Sequence, residues 1–156
     1  MDRTDYYRSS GAPAANSIVV AVTAFVCDEG GRLLMIRRAD NDLYAIPGGA
    51  LELGETLTRT VRREVMEETG IAVEVTGLIG VYSDPGHVIE FADGEVRQEF
   101  SICFRADPIG GDLCTSDESK EVLWVAPANL DTLSIHPSIR LRIRHGFEER
   151  AEPHYS

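Results

Sequence analysis

The sequence predicts a single domain of the α/β or α+β sandwich class. Its 156 residues fit one domain rather than two. Strand-like, β-branched runs are interleaved with two or three segments of helical periodicity. We expect the domain to occupy residues 17–148. Residues 1–16, rich in Ser, Gly, Ala and Pro, are predicted to form a flexible N-terminal arm, and residues 149–156 a C-terminal tail.

The first half of the domain begins with a predicted hairpin and a glycine-rich loop. Residues 17–27 and 32–38 are strand-like, and the turn sequence Asp-Glu-Gly-Gly lies between them. A short strand and a Gly/Pro loop follow at 43–55. The loop is a candidate for close contact with a ligand, because its glycines let the backbone approach without a Cβ in the way.

Residues 56–69 are predicted to form a helix. Thr56 or Glu55 can cap its N-terminus, and Gly70 suits the left-handed position just beyond its C-terminus. The helix therefore follows the glycine-rich loop directly.

The second half of the domain contains further strands and the remaining helices. In chain order the sequence predicts a strand at 71–82, a turn at 83–87, a hairpin around Asp93 and Gly94, a break at 107–112, a strand at 120–127, a short helix at 127–133 and a longer helix at 136–147.

Composition and charge exclude several classes of protein. The net charge of −11 argues against tight nucleic-acid binding, which needs a basic surface. No apolar run approaches the length of a membrane span, and the N-terminus lacks the apolar core of a signal peptide. The three cysteines show neither a disulfide framework nor a zinc pattern. We therefore expect a cytoplasmic protein with no membrane partner.

The predicted helix places glutamates beside its own apolar stripe. On a helical wheel with Leu57 at 0°, Val61 and Val65 lie at about 40° and 80°. Glu68 and Glu64 lie at about 20° and 340° on that wheel, which puts both in or next to the stripe that faces the core. Buried carboxylates are costly unless they are protonated, paired or neutralised by a metal ion.

Glu67, at about 280°, completes a cluster of like charge with Glu64 and Glu68. A solvated acidic face is the ordinary explanation of a Glu-rich helix, but the position of the apolar stripe argues against it. The nearby Arg62 and Arg63 do not balance the cluster. A hard divalent cation would balance the charge of the cluster. Mg²⁺ is favoured because it binds a few carboxylates and keeps water ligands that substrate phosphates can replace.

The segment from residue 49 to residue 71 resembles the Nudix box of the MutT-like Nudix hydrolases. The pattern is Gly, five residues, Glu, seven residues, Arg-Glu, an aliphatic residue, any residue, Glu-Glu, any residue, Gly and an aliphatic residue. Every position matches: Gly49, Glu55, Arg63, Glu64, Val65, Glu67, Glu68, Gly70 and Ile71. Flanking segments are also similar, so the resemblance covers about residues 18–145.

The resemblance implies an α/β/α sandwich with a mixed sheet and a metal-dependent active site. Glu64, Glu67 and Glu68 match the metal-binding glutamates of the family, and Glu64 acts as the general base in some members. Arg63 matches the arginine that orients a glutamate. Glu55 matches a supporting carboxylate. The carbonyl group of Gly48 or Gly49 matches a further metal ligand.

The implied reaction is the hydrolysis of a diphosphate linkage in a nucleoside diphosphate derivative, with Mg²⁺, or Mn²⁺ in its place, as cofactor. ADP-ribose-like compounds, dinucleoside polyphosphates and (d)NTPs are the candidate substrates. The alternative is a non-catalytic Nudix-fold nucleotide sensor, although a sensor would be expected to lack some of the glutamates. An RNA-decapping enzyme is disfavoured by the acidic charge.

Further site candidates lie outside the box. Glu118, in a loop, is preferred over Glu121 as an extra metal ligand. Glu99 is placed by strand alternation on the same face as Arg97, where it either reaches the site or forms a surface ion pair.

The candidate substrate-binding residues are Arg37, Arg38, Tyr44, His87 and Glu99, and one of the two arginines Arg37 and Arg38 is expected to be solvated. The arginines of the last helix are predicted to form a solvated face: Arg140, Arg142 and Arg144. The two tyrosines of the N-terminal arm can support a homodimer contact.

Overall fold

The computed structural model describes residues 3–156, which form ten strands, two α-helices and one short 3-10 helix. The first six strands precede the first helix: β1 (Arg3–Tyr7), β2 (Ser17–Ile18), β3 (Ala21–Val26), β4 (Leu33–Arg38), β5 (Tyr44–Ala45) and β6 (Gly48–Ala50). The remaining elements are α1 (Leu57–Thr69), β7 (Ile71–Phe91), β8 (Val96–Gly111), β9 (Ser119–Val125), the 3-10 helix (Pro127–Thr132), α2 (Pro137–Glu148) and β10 (His154–Tyr155).

The strands form two sheets. The larger has the order β1-β7-β8-β3-β6, with β10 beside β7 and β2 beside β8, and the smaller has the order β5-β4-β9. The larger sheet is mixed, because β3 runs parallel to β8 while β7 runs antiparallel to it. The predicted α/β class and mixed sheet are therefore confirmed.

Strand β3 shows why the helices lie on both sides of the sheet. Successive side chains of a strand point to opposite faces. Val26 packs in one core with Val65 of α1, whereas its neighbour Phe25 packs in a second core with Ile143 of α2. Two apolar faces each covered by a helix give the α/β/α sandwich.

Helix α1 begins and ends where the sequence predicts. The hydroxyl of Thr56 accepts a hydrogen bond from the backbone N–H of Arg59 at 3.3 Å, which caps the N-terminus. Gly70 adopts a φ of 79° beyond the C-terminus, and a Cβ there would lie 2.2 Å from the carbonyl oxygen of Asp112. Glycine is thus required at residue 70 for its conformation and for the close approach of a neighbouring segment.

The prediction that residues 17–38 form a hairpin of two paired strands is wrong. Strands β3 and β4 belong to different sheets, and only a bridge between Cys27 and Leu33 joins the two strand segments. Strand β4 instead pairs antiparallel with β9. The turn forms as expected, but the chain leaves one sheet for the other after it.

The predicted turn at 83–87 and the predicted break at 107–112 are also wrong. Both segments belong to one long antiparallel ribbon of β7 and β8, joined by the turn at Asp93 and Gly94 that the sequence predicts. Pairing shifts between Asp84 and Val88, so the residues between them bulge out of the ladder. The bulge keeps the strand continuous and re-aims His87.

Both termini are better ordered than the sequence suggests. Residues 3–7 of the predicted arm form β1, which pairs antiparallel with residues 87–91 of β7, and β10 in the predicted tail pairs parallel with β7 near Gly80. The reason is the free edge of the long β7 strand, whose unpaired N–H and C=O groups accept added strands. The arm's first two residues lie outside the described part of the chain.

Candidate active site

Three carboxylates converge on one point beside α1. Oxygen atoms of Glu64, Glu68 and Glu118 all lie within 4.8 Å of one another. Glu64 and Glu68 are 9% and 6% exposed, as their positions on the helical wheel predict, whereas Glu118 is exposed. The helix thus buries two acidic groups, and the loop before β9 brings a third.

Neighbouring elements hold these carboxylates in place. The backbone N–H of Gly48 donates to Oε2 of Glu68 at 3.1 Å. A Cβ on Gly49 would lie 2.4 Å from the carboxyl carbon of Glu64, so only glycine leaves room for that side chain. Ser119 donates its hydroxyl proton to the carbonyl oxygen of Glu68 at 2.6 Å, which ties the start of β9 to α1.

Arg63 joins the loop to the acidic residues of the helix. Its Nε and Nη2 donate to the two carboxylate oxygens of Glu55 at 2.7 and 2.9 Å, a bidentate pair. Its Nη1 donates to Oε1 of Glu64 at 2.8 Å and to Glu67 at 3.3 Å, and Nη2 also reaches the carbonyl oxygen of Ala50. The guanidinium therefore fixes the orientation of Glu64, the role that the resemblance assigns to Arg63.

The charges of the cluster are only partly balanced. Hydrogen bonds from Arg63 lower the pKa of Glu55 to about 2, although burial opposes this shift. Burial raises the pKa of Glu64, against the opposing hydrogen bond from Arg63. Burial raises the pKa of Glu68 to about 8, and the charges of Glu64 and Glu118 add to the effect. Converging carboxylate oxygens whose ionisation is opposed by burial fit a hard divalent cation, which would favour their ionised forms.

Glu67 lies apart from this convergence. Its side chain is 59% exposed, and its close contact is the one with Arg63. The residue sits one step further round the helix, which turns its carboxylate toward solvent. The role of Glu67 as a metal ligand stays a prediction.

The alternative ligand Glu121 lies outside the group formed by Glu64, Glu68 and Glu118, and the preference for Glu118 as a metal ligand stays a prediction. Glu121 accepts a hydrogen bond from the hydroxyl of Tyr44 at 2.7 Å and lies 3.5 Å from Arg37. Arg37 also pairs with Asp42 at 3.4 Å. Its guanidinium is thus engaged by acidic residues at the surface.

A cavity of about 740 Å³ extends from the carboxylates across the face of the larger sheet. Its volume suits a nucleotide-sized ligand. Four of the predicted substrate-binding residues line it: Arg38, Tyr44, His87 and Glu99. Arg38 also pairs with Asp40 through two hydrogen bonds of 2.9 and 2.7 Å.

The predicted solvated face of the last helix is wrong for Arg142. This side chain is 2% exposed, donates to the carbonyl oxygen of Ser138 at 2.6 Å and lies 3.4 Å from Glu99. Its guanidinium packs over the ring of Tyr82. The helical wheel carries the missing signal, because Arg142 lies only about 60° from Ile139 on the apolar stripe.

The residues that line the cavity also include Asp5 and His136, which no motif in the sequence marks. Asp5 comes from β1, and His136 comes from the N-cap position of α2. Neither position belongs to a local motif, so no signal in the sequence marks them. They meet His87 at the wall of the cavity, where its ring is placed by the bulge in β7.

Within residues 3–156, the helices are too short or too polar to cross a lipid bilayer.

Residues 18–145 match the family described as NUDIX domain. A MutT-like protein of Streptomyces ambofaciens is 47% identical over 108 residues, which cover 69% of this chain and 64% of that protein. An ADP-ribose pyrophosphatase of Methanocaldococcus jannaschii is 38% identical over 123 residues, 74% of this chain and 66% of that protein. The chain therefore spans slightly less than two thirds of the length of these two relatives.

A more distant relative is the nucleoside triphosphatase NudI of an Enterobacter species, 29% identical over 77% of this chain and 90% of that protein. Among solved structures, a NUDIX hydrolase from Nitrosomonas europaea has a TM-score of 0.70 at 19% identity, covering 88% of this chain and 93% of that one. At that identity the likeness shows the fold alone.

Proposed function

Because the chain belongs to the NUDIX domain family, we propose that it is a divalent-metal-dependent pyrophosphohydrolase. Its substrate is a nucleoside diphosphate derivative whose diphosphate linkage is cleaved by water. The observation that carries the proposal is the convergence of Glu64, Glu68 and Glu118 at one end of a nucleotide-sized cavity. The two relatives with enzyme names, an ADP-ribose pyrophosphatase and a nucleoside triphosphatase, act on compounds of this class.

In this proposal Glu64, Glu68 and Glu118 hold the metal, and the carbonyl group of Gly48 or Gly49 is a further donor. A bound Mg²⁺ or Mn²⁺ ion supplies positive charge for the phosphoryl oxygens and lowers the pKa of the attacking water. The positive charge of Arg38 favours the ionised form of Glu68 but does not overcome the effect of burial, so a bound cation would offset the remaining cost of ionising Glu68.

The protein's own residues orient the reacting groups. Arg63 holds one carboxylate oxygen of Glu64 through the 2.8 Å hydrogen bond, which leaves the other oxygen available as the metal ligand. Arg38 lines the cavity near the acidic cluster, and its positive charge suits a substrate phosphate. Glu55 holds Arg63 and so acts one step further from the chemistry.

The proposal is tested with the purified full chain and a substrate panel in the presence and absence of Mg²⁺. The panel contains ADP-ribose, dinucleoside polyphosphates, NADH, nucleotide sugars and (d)NTPs. We expect metal-dependent release of phosphate or nucleotide from at least one compound. Tight binding of one compound without turnover of any would instead support a nucleotide sensor and refute the enzyme.

Variants of the carboxylates extend the test. Glu64→Gln and Glu68→Gln are each expected to lower the rate by orders of magnitude. Glu74→Gln, an exposed glutamate on β7, is the matched control and is expected to keep full activity. Equal rates for all three variants and the parent would contradict the assignment of the site.

The cytoplasmic location and the homodimer stay predictions. Tyr7 is less available for a dimer contact than the sequence suggests, because its ring packs edge-on against His87 and His136 of the same chain. Sedimentation velocity of the purified chain tests the dimer directly.

A further inference from the structure

Three elements far apart in the sequence bring Asp5, His87 and His136 together at the cavity wall. Oδ1 of Asp5 lies 2.9 Å from Nε2 of His87 and 3.5 Å from Nε2 of His136. The ring of Tyr7 packs edge-on against both imidazoles, with centroids 5.3 and 4.9 Å away. His87 is 4% exposed, His136 is half-buried and Asp5 is exposed, so the cluster extends from the interior to the open side of the cavity.

The hydrogen bonds fix where the imidazole protons lie. The backbone N–H of Ser138 donates to Nδ1 of His136 at 3.1 Å, so that nitrogen is an acceptor and Nε2 carries the proton. Nε2 of His87 also carries a proton, because its partner, a carboxylate, only accepts. Both imidazoles therefore donate toward Asp5. Because Nε2 of each ring carries a proton, neither ring offers a lone pair there to a metal ion next to Asp5.

These donors keep Asp5 ionised. Although burial opposes the shift, hydrogen bonds from His136 and His87 hold the pKa of Asp5 well below its ordinary value. A carboxylate that is ionised and held in place by two rings is a permanent hydrogen-bond acceptor on the cavity wall.

The second oxygen of this carboxylate, Oδ2, can still accept hydrogen bonds from a ligand. Oδ2 of Asp5 lies 3.9 Å from Nη2 of Arg3, which is too far for a hydrogen bond. Arg3 is shared with Asp40, at 3.6 Å, so it does not neutralise Asp5 alone. A negatively charged group of a ligand would be repelled here, whereas an uncharged N–H or O–H group would be accepted.

Resting on the proposed function, we propose that Asp5 binds an uncharged hydrogen-bond donor in the nucleoside part of the substrate. The donor is a ribose hydroxyl or the exocyclic amine of the base, and the diphosphate lies at the end of the cavity where Glu64 and Glu68 converge. Strand β1 is then part of the substrate site, and His87 and His136 are positioning residues that hold Asp5.

The test measures kcat and KM of the full chain with Mg²⁺ on two matched sets of substrates. The first set is ADP-ribose, its analogue with 2′-deoxyadenosine, and IDP-ribose, which lacks the exocyclic amine. The second set is ATP, dATP and ITP. Asp5→Asn is compared with the parent on whichever set the parent turns over.

We expect Asp5→Asn to raise KM for the parent compound about tenfold to a hundredfold, with kcat little changed. The Nε2–H of His87 holds the amide oxygen of the variant at the position of Oδ1, and the amide NH2 that replaces Oδ2 cannot accept a hydrogen bond from the ligand. The parent enzyme should prefer the complete substrate over one of the analogues, and this preference should disappear in Asp5→Asn. Loss of preference against the 2′-deoxy analogue identifies a hydroxyl donor, and loss against the hypoxanthine analogue identifies the amine.

Tyr6→Phe is the matched control for strand β1. It removes a 3.2 Å hydrogen bond from Tyr6 to Glu90 on β7 without touching the cavity, so KM and preference should stay as in the parent.

Unchanged KM and preference in Asp5→Asn would overturn the proposal while leaving the proposed function standing. A similar fall of activity on every compound in both variants, with a lowered Tm, would also overturn it, because Asp5 would then only hold β1. If the parent turns over no compound of the wider panel, the proposed function itself fails.

Discussion

Replacing Glu68 by Gln is expected to stabilise the metal-free protein while it removes activity. Burial raises the pKa of Glu68 from its ordinary 4.5 to about 8. At pH 7 the unfolded chain holds this group ionised and the folded chain holds it protonated, which costs the folded state about 3 kcal/mol. Glutamine carries no charge and keeps an oxygen that accepts from the N–H of Gly48. We expect a net gain of about 1–3 kcal/mol, because local relaxation already relieves part of the cost.

The sign of the pH dependence follows from the direction of the shift. The folded state binds more protons than the unfolded state between pH 4.5 and about 8, so the stability of the parent falls as the pH rises through this window. Urea unfolding in EDTA at several values between pH 5 and pH 8 measures this fall. The advantage of Glu68→Gln should be largest at pH 8 and almost vanish at pH 5.

The exposed Glu74→Gln variant serves as the control, with an expected change near zero at every pH. If Glu68→Gln is no more stable than the parent at pH 8, or if its advantage does not change with pH, burial does not raise the pKa of Glu68 as stated. Retention of full activity by Glu68→Gln would separately refute its role in the active site.

Three further results are expected. Gly49→Ala should fold but lose most activity, because the new Cβ would meet the flexible carboxylate of Glu64 and displace it. Gly110→Ala is the control: nothing lies within 4 Å of its new Cβ, so it should match the parent in activity and in thermal unfolding. Arg63→Lys should lower kcat about tenfold or more, because an ammonium group cannot reproduce the bidentate pair with Glu55, and an unchanged rate would contradict the orienting role. EDTA should abolish turnover, and Mg²⁺ should restore it. In calorimetry, Mg²⁺ at a hundred times its Kd should raise the free energy of unfolding by about 2.7 kcal/mol. Activity that persists in EDTA would refute metal dependence.

The acidic cluster on α1 was predictable because the signals are local. The cap at Thr56, the left-handed Gly70 and the burial of Glu64 and Glu68 all follow from residues a few positions apart on one helix. Helical geometry repeats every 3.6 residues, so the sequence alone states which side chains share a face. The family pattern covers the same segment of the chain.

Strand pairing, in contrast, depends on which edges are free in the folded molecule. The Asp-Pro-Gly-His segment has the composition of a turn, yet the partner strand β8 continues past it and converts it into a bulge. Residues 3–7 have the composition of a loose arm, yet the open edge of β7 binds them. Local propensity is outweighed in both places by hydrogen bonds to a distant strand.

Local patterns were therefore enough to predict the α/β class, the burial of Glu64 and Glu68 and the position of Arg63 beside Glu64. The meeting of Asp5 and His136 with His87 at the cavity, and the burial of Arg142 beside Glu99, depend on long-range packing and could not be predicted in this way. The physical reason is that a helix relates side chains by a fixed period, whereas a cavity wall joins segments whose separation along the chain has no period. Their positions follow from the packing of two sheets and two helices, which is the summed result of many weak long-range contacts.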